Sequence, residues 1–528
     1  KYGELAKAQA VFGDLPMQDV VSWNALIAGY SQHGYGEEAL YWFEQMKHEG
    51  FAPDAVTFSC VLKACANIVS IGKGQEVHAN IVGERLLGKN TIVGTALVDM
   101  YAKCGLVEKA QEVFDELPNW NIISWNALIA GYTQHGHSTE ALKCLERMEH
   151  GGLSPDPITY VCVLKACADV QDINKGQELH FEIVKYGFLS KDTILGNALV
   201  DMYAKCGFLA KAQDVFHKLP MRNVVSWNVL ITGYVQHGDA EEALSCFQKM
   251  QVEDTSPNDV TFLSILKACG LLGAFEKGQE IHAQIRKGGL LRENNGVGSA
   301  LVDMYVKCGL LERAQAVFDE LPHWDVVSWT SLIAGYAEHG HCDEALKCFQ
   351  WLELKGLFLD LVTFVCMLKV CASIGLANKG QELHTKIVRE GVLDKDTVVG
   401  TALVDMYAIC GMLLDAQKVF EKLPIRDVAA WNALIAGFIQ YGFSEEAMNC
   451  FENMRQLAYS PDVTTFACIL KACGSTGNVQ KGEEMHVEIS RQGSLGKDTI
   501  VGTALVDMYA KCGMLAKAQQ VLEALPAR

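Results

Sequence analysis

One distance constrains this chain more than any other feature. Trp23, Trp125, Trp227, Trp329 and Trp431 follow one another at intervals of 102 residues, each inside nearly the same phrase, from VVSWNALIAGY at 20 to VAAWNALIAGF at 428. Every 102-residue block divides again into three related stretches. Val20–Asp54 carries WNALIAGY and then EEALYWFEQM, Ala55–Asn90 carries TFSCVLKACA and then GKGQEVHANIV, and Thr91–Asn121 carries GTALVDMYAKCG and then KAQEVFDELP. The stretches are 35, 36 and 31 residues long. A length of 528 residues would ordinarily suggest several globular domains; a period of this kind points instead to an array of small stacked units.

Each stretch reads as two helices. Trp23, Leu26, Ile27 and Tyr30 follow the spacing of one helical face, and Phe58, Val61, Leu62 and Cys65 repeat it, as do Leu97, Val98 and Tyr101. Ser22 and Thr57 occupy places where a helix N-cap is expected, Gly34 and Gly105 mark the turn, and Ala39, Leu40, Phe43 and Met46 line a second helix. Prolines such as Pro16, Pro53, Pro118 and Pro526 punctuate the units, since proline cannot continue a helix. A hairpin of about 35 residues cannot bury its own apolar face, and stacking neighbours does so. The expected fold is therefore all-α, a single right-handed α-solenoid superhelix of fifteen helix-turn-helix repeats. Its blocks are 20–121, 122–223, 224–325, 326–427 and 428–528, preceded by a partial unit over 1–19. The opening KYGELAKAQAVFGDLP aligns with Lys103–Pro118, so the first unit reads as lacking its leading helix and the chain as part of a longer protein.

Composition excludes several classes. Half the residues are apolar, which argues against disorder, yet no run approaches the 18 apolar residues of a membrane span. The net charge of −18 argues against strong nonspecific polyanion binding without excluding a local basic stripe. Nineteen cysteines recur at apolar helix positions, as Cys65 and Cys104 do, and no C-x-x-C exists, so buried thiols are expected rather than zinc or disulfides. His78, His180, His282, His384 and His486 also recur with the repeat. His180-Phe-Glu182 and His486-Val-Glu488 match the H-x-E of zinc deaminases, but the P-C-x-x-C that would hold the metal is missing. No metal, cofactor or catalytic constellation is expected.

The alternation of 35-, 36- and 31-residue hairpins, with VVSWNALIAGY, LKACA…GKGQEVH and LVDMYAKCG…AQEVFDELP, resembles the PLS subclass of plant pentatricopeptide repeat (PPR) proteins over essentially all 528 residues. The resemblance implies sequence-specific binding of single-stranded RNA in a mitochondrion or chloroplast, typically to specify C-to-U editing; an RNA stabilisation or processing factor is the alternative, and a peptide-binding scaffold a more remote one. The expected protein is a monomer and not an enzyme. E or DYW extensions are not part of this sequence, and no targeting segment is seen in it.

Such repeats read one base with two or three side chains. By resemblance, one reader lies early in the first helix and the other is the repeat's last residue. In P repeats the pairs are Asn24/Asp54, Asn126/Asp156, Asn228/Asn258, Thr330/Asp360 and Asn432/Asp462. In S repeats they are Thr95/Asn121, Asn197/Asn223, Ser299/Asp325 and Thr401/Asp427, with Thr503 lacking a second member. Read from residue type alone, the same positions suit helix caps and turns. The L repeats carry Ser59, Val161, Leu263, Val365 and Ala467 at the early position, which implies weak base choice there and a role in binding partner editing factors. Two lysine series are candidates for the RNA backbone: Lys63, Lys165, Lys267, Lys369 and Lys471 in L repeats, and Lys103, Lys205, Lys307 and Lys511 in S repeats, where Ile409 breaks the series. Val21, Ile123, Val225 and Val327, three residues before the P-repeat readers, suit either base faces or the core. The resemblance implies a target of the form U-n-A-U-n-Y-Y-n-G-G-n-G-U-n-R.

Overall fold

The computed structural model describes residues 2–525 apart from 88–89, 191, 358, 394–395 and 492–498; the closing proline expected at Pro526 lies outside the described residues. The described residues hold 32 helices and no strand. The fold is an all-α solenoid of helical hairpins, in two compact units, one ending at Ala268 and the other starting at Cys269.

The first hairpin pairs helix Val20–Gln32 with helix Gly36–His48, and the second pairs Ala55–Asn67 with Ile71–Gly83. The 31-residue repeats owe their shortness to the second helix. Val107–Asp115 and Leu209–His217 run only 9 residues, against 13 for Gly36–His48. Within each unit a first helix packs on the first helices before and after it and on its own second helix, while the second helix also lies against the next first helix.

Helix starts correct one expectation. The N-caps are Asp19 and Asp54, whose carboxylates accept the backbone N–H of Ser22 and Thr57, while the Ser22 and Thr57 hydroxyls engage the cap residue in return. Ser22 and Thr57 are thus the third helical residues of capping boxes, not the caps. Gly34 and Gly105 take φ of 84° and 80° at the hairpin turns, a left-handed conformation that favours glycine. The apolar stripes read from the sequence are buried: Trp23, Leu26, Ile27, Tyr30, Phe58, Val61, Leu62 and Cys65 all lie in the core. At the S-to-P junctions the tryptophan packs against the last phenylalanine of the preceding repeat, edge-on in Phe216–Trp227 (4.6 Å between centroids) and Phe318–Trp329 (4.5 Å) and tilted in Phe114–Trp125 (4.5 Å).

Candidate nucleic-acid interface

The residues expected to work in pairs are brought together. Asn24 sits one turn into its helix, buried beside the Trp23 stripe, and the Asp54 that closes the same repeat caps the next first helix. Asn24 Nδ2 donates to Asp54 Oδ1 at 2.9 Å, and Thr57 Oγ1 donates to Asn24 Oδ1 at 2.6 Å. The amide orientation follows, because a carboxylate only accepts and must face the NH2. The same triangle recurs in Asn126–Asp156–Thr159 (3.0 and 2.6 Å), Asn228–Asn258–Thr261 (2.9 and 2.6 Å) and Asn432–Asp462–Thr465 (3.0 and 2.6 Å). Thr330 bonds Asp360 Oδ2 at 3.1 Å and Thr363 at 2.7 Å. Burial would push the Asp54 and Asp462 carboxyls up, but hydrogen bonds from the backbone and side chains of Thr57 and Thr465 and from Asn24 and Asn432 outweigh it and hold both below the ordinary value. In P repeats the cap reading therefore applies to the second member of each pair, whereas the first member caps nothing and is tied to the second across the repeat.

The S-repeat pairs divide by their second member. With Asp they close: Ser299 Oγ lies 3.1 Å from Asp325 Oδ1, and Thr401 Oγ1 lies 3.3 Å from Asp427 Oδ1. With Asn they stay open, and the buried Thr95 Oγ1 and Asn197 Oδ1 have no partner among the described residues. In neither case does a hydroxyl from the third residue of the next helix reach back to the S-repeat reader as it does in P repeats. L repeats place a threonine there, which reaches back to the preceding reader; P repeats place Ser124 and Ser226, which bond their own caps Asn121 and Asn223 instead. Thr503 donates to Thr499 O within its own helix.

In the unit ending at Ala268, Thr95, Asn121 and Asn126 open on one cleft of about 570 Å³, together with Lys63 and Lys103 and the aliphatic side chains of Ile92, Ile123 and Ile158. The core alternative for the residues three before the P-repeat readers is overturned: Val21, Ile123, Val225 and Val327 are 72%, 65%, 51% and 60% exposed. Sequence reasoning missed their equivalents in L and S repeats, among them Val56, Ile92, Ile158 and Ile194, all exposed. The signal was present, since each is the second residue of a first helix. The two lysine series also differ. Lys103, Lys205, Lys307 and Lys511 form ion pairs of 2.7 to 2.9 Å with Asp99, Asp201, Asp303 and Asp507 one turn earlier. Lys63, Lys165, Lys267, Lys369 and Lys471 make no ion pair within 4 Å among the described residues. Where Ile409 interrupts the S series, burial raises the Asp405 carboxyl, opposed only by Lys369.

The recurring histidines bridge L and S repeats. His78, His180, His282, His384 and His486 each hold the hydroxyl of Tyr101, Tyr203, Tyr305, Tyr407 or Tyr509 at 2.8 to 3.0 Å, and burial lowers their pKa. The two side chains of the His180-Phe-Glu182 phrase part company, since Glu182 accepts from Tyr160 Oη. The cysteines are free thiols, and burial pushes Cys65 up to about 12 and Cys144 to about 11.

Comparison with known proteins gives a consistent result. The PPR repeat family pattern matches residues 18–67, 120–169, 222–270, 324–373 and 426–475, and the single PPR repeat pattern matches 95–122, 197–224, 299–326 and 401–428. A mitochondrial pentatricopeptide repeat-containing protein of Arabidopsis thaliana is 34% identical over 100% of this chain and 51% of its own length. A second mitochondrial one is 32% identical over 99% and 76%, and a chloroplastic one 34% over 100% and 65%. The chain thus spans about half to three-quarters of these relatives. Among solved structures, the maize pentatricopeptide repeat protein PPR10 is similar with a TM-score of 0.62 at 22% identity, covering 99% of this chain and 81% of that one. PPR10 in complex with an 18-nucleotide RNA element gives 0.65 at 20%, covering 99% and 87%.

Proposed function

Because this chain belongs to the pentatricopeptide repeat family, we propose that it is a sequence-specific single-stranded RNA-binding module that reads one base per P or S repeat through the paired side chains described above. The observation that carries this reading is the hydrogen-bonding capacity the pairs keep in reserve. In Asn24/Asp54, Asn24 Oδ1 is occupied by Thr57 and one Nδ2 hydrogen by Asp54, leaving one N–H donor beside Asp54 Oδ2. A donor next to an acceptor complements the O4 and N3–H edge of uracil. In Asn228/Asn258, Asn258 Oδ1 already accepts from Asn228 and Thr261, so the pair offers only N–H donors, which suits the acceptors of cytosine. Ser and Thr, one atom shorter, leave room for a purine. The exposed aliphatic residues beside the pairs, absent only where Gly296 and Ala429 stand before Ser299 and Asn432, supply flat apolar contact for base faces, and the unpaired L-repeat lysines supply cations for phosphates.

The PLS layout and the relatives' mitochondrial and chloroplastic names support a specificity factor for C-to-U editing in a plant organelle, with L repeats contributing contacts to partner editing factors. The test is a mobility shift with U-n-A-U-n-Y-Y-n-G-G-n-G-U-n-R RNA against permuted sequences of the same composition. Tighter binding of the matched RNA supports the reading, and equal binding of all permutations ends it. For the editing role, a plant lacking the full-length protein should lose C-to-U conversion next to a matching transcript segment.

A further inference from the structure

The P repeats contain a second position that varies in an instructive way, formed by the second helices rather than by the first helices that carry the readers. In the second block, Arg147 lies with its guanidinium 5.5 Å from the Trp125 ring centroid and its Nη2 3.0 Å from Asp115 Oδ1, while Gln111 donates to the other carboxylate oxygen. Two blocks later the same seat is built from Trp329, Asp319 and Gln315, and Gln315 again donates to Asp319 at 2.8 Å. The arginine, however, is replaced by Trp351. Asp319 has no ion pair among the described residues, and the seat opens as a cavity of about 360 Å³.

Its walls suit a planar cation. Trp324 lies parallel to Phe318 and 6.0 Å from Trp329, and Trp324 and Trp351 are 42% and 58% exposed. Asp319, Glu344 and Lys347 line the same cavity, and after burial itself the two carboxylates, opposed by Lys347, push the Cys348 thiol in its wall up to about 11. Lys355 rests over the outer Trp324 ring at 5.6 Å and forms no ion pair with Asp319. Past Gln315, Tyr336 and Glu344 the cavity adjoins a cleft of about 700 Å³ that adds Glu312, Arg313, His339 and His341.

We propose that the Asp319–Trp329–Trp351 cavity is a docking site for an arginine side chain of a partner polypeptide, which takes the seat that Arg147 fills from within the chain in the second block. Aromatic faces and a carboxylate recognise a guanidinium by cation–π attraction and charge-assisted hydrogen bonds, and the adjoining polar cleft leaves room for the residues beside it. The site is independent of the RNA reading, since none of its residues belongs to a reader pair.

The test uses tryptophan fluorescence and calorimetry on the full chain with acetyl-Gly-Gly-Arg-Gly-amide and with the same peptide carrying lysine or citrulline. The arginine peptide should bind saturably, with citrulline, its neutral isostere, and lysine each at least about tenfold weaker. Trp351→Arg, which refills the seat, and Asp319→Asn should each weaken the arginine peptide by about tenfold while leaving helicity and RNA affinity unchanged. If Trp351→Arg does not fold, Asp319→Asn alone decides. Absence of saturable binding, equal binding of citrulline, or indifference to Asp319→Asn overturns the site, and equal binding of lysine overturns the guanidinium assignment.

Discussion

At the scale of single residues, the interface depends on which hydrogen bonds the protein has already spent. Thr330 illustrates it: buried, and tied to Asp360 and Thr363, it makes the pair proposed to read G. Thr330→Asn should rebuild the Asn–Asp–Thr triangle of the first, second and fifth P repeats and move preference at one position from G to U. A binding series with each base at that position checks it, with a mismatch costing about 1–3 kcal/mol. Uniform weakening of all four RNAs would make Thr330 a structural residue only. Asp405 offers a titration test. Its carboxyl is raised in the folded state, so the folded protein holds that proton longer than the unfolded chain, and stability declines as pH rises from the ordinary carboxylate value through the folded one. Ile409→Lys supplies the partner that Asp99, Asp201, Asp303 and Asp507 possess. It should remove that decline and add about 0.3–0.5 kcal/mol near neutral pH, read from urea unfolding across the acid range.

At the scale of helices, close approach between neighbouring first helices sets what each position tolerates. A Cβ at Gly131 would stand 2.5 Å from Ala102 Cβ on the preceding first helix, whereas one at the equivalent Gly29 would meet only Leu5 at 3.6 Å. Gly131→Ala should therefore destabilise by about 1–3 kcal/mol through overpacking, and Gly29→Ala should stabilise by up to about 1 kcal/mol through helix propensity. Opposite shifts in the denaturation midpoint are the expected result. Helices and their buried faces were legible in the sequence because the i, i+3, i+4, i+7 spacing of Trp23, Leu26, Ile27 and Tyr30 is a local signal. The caps were displaced by three residues, because Asp19 and Ser22, or Asp54 and Thr57, are both cap-forming types and only the backbone decides between them. The choice of threonine or serine at the third helical residue was in plain view. Its meaning was not, since it lies in a contact with a reader more than thirty positions away, as from Thr57 to Asn24. The Asp99–Lys103 pair was legible from its spacing of four and went unread.

For the molecule as a whole, charge is arranged so that little of it is free to attract a polyanion. The net charge is −18, and the S-repeat lysines are already partnered. The L-repeat lysines should then carry most of the salt dependence. Replacing Lys63, Lys165, Lys267, Lys369 and Lys471 by alanine should flatten the plot of log affinity against log salt by about 0.7 for each phosphate that is no longer neutralised. Replacing the four S-repeat lysines should change the slope less. A last consequence follows from the 102-residue period and from packing that links each repeat only to its neighbours within a unit. An S repeat is always followed by a P repeat, so misaligned recombination between two blocks of the coding sequence duplicates or deletes a whole triplet in frame and creates no junction the fold does not already contain. Under the one-base-per-repeat reading proposed above, such an event would lengthen or shorten the recognised RNA by three nucleotides at one stroke. Target length would then change in a lineage by crossing-over alone, while point changes at paired positions such as 330 and 360 would retune individual letters.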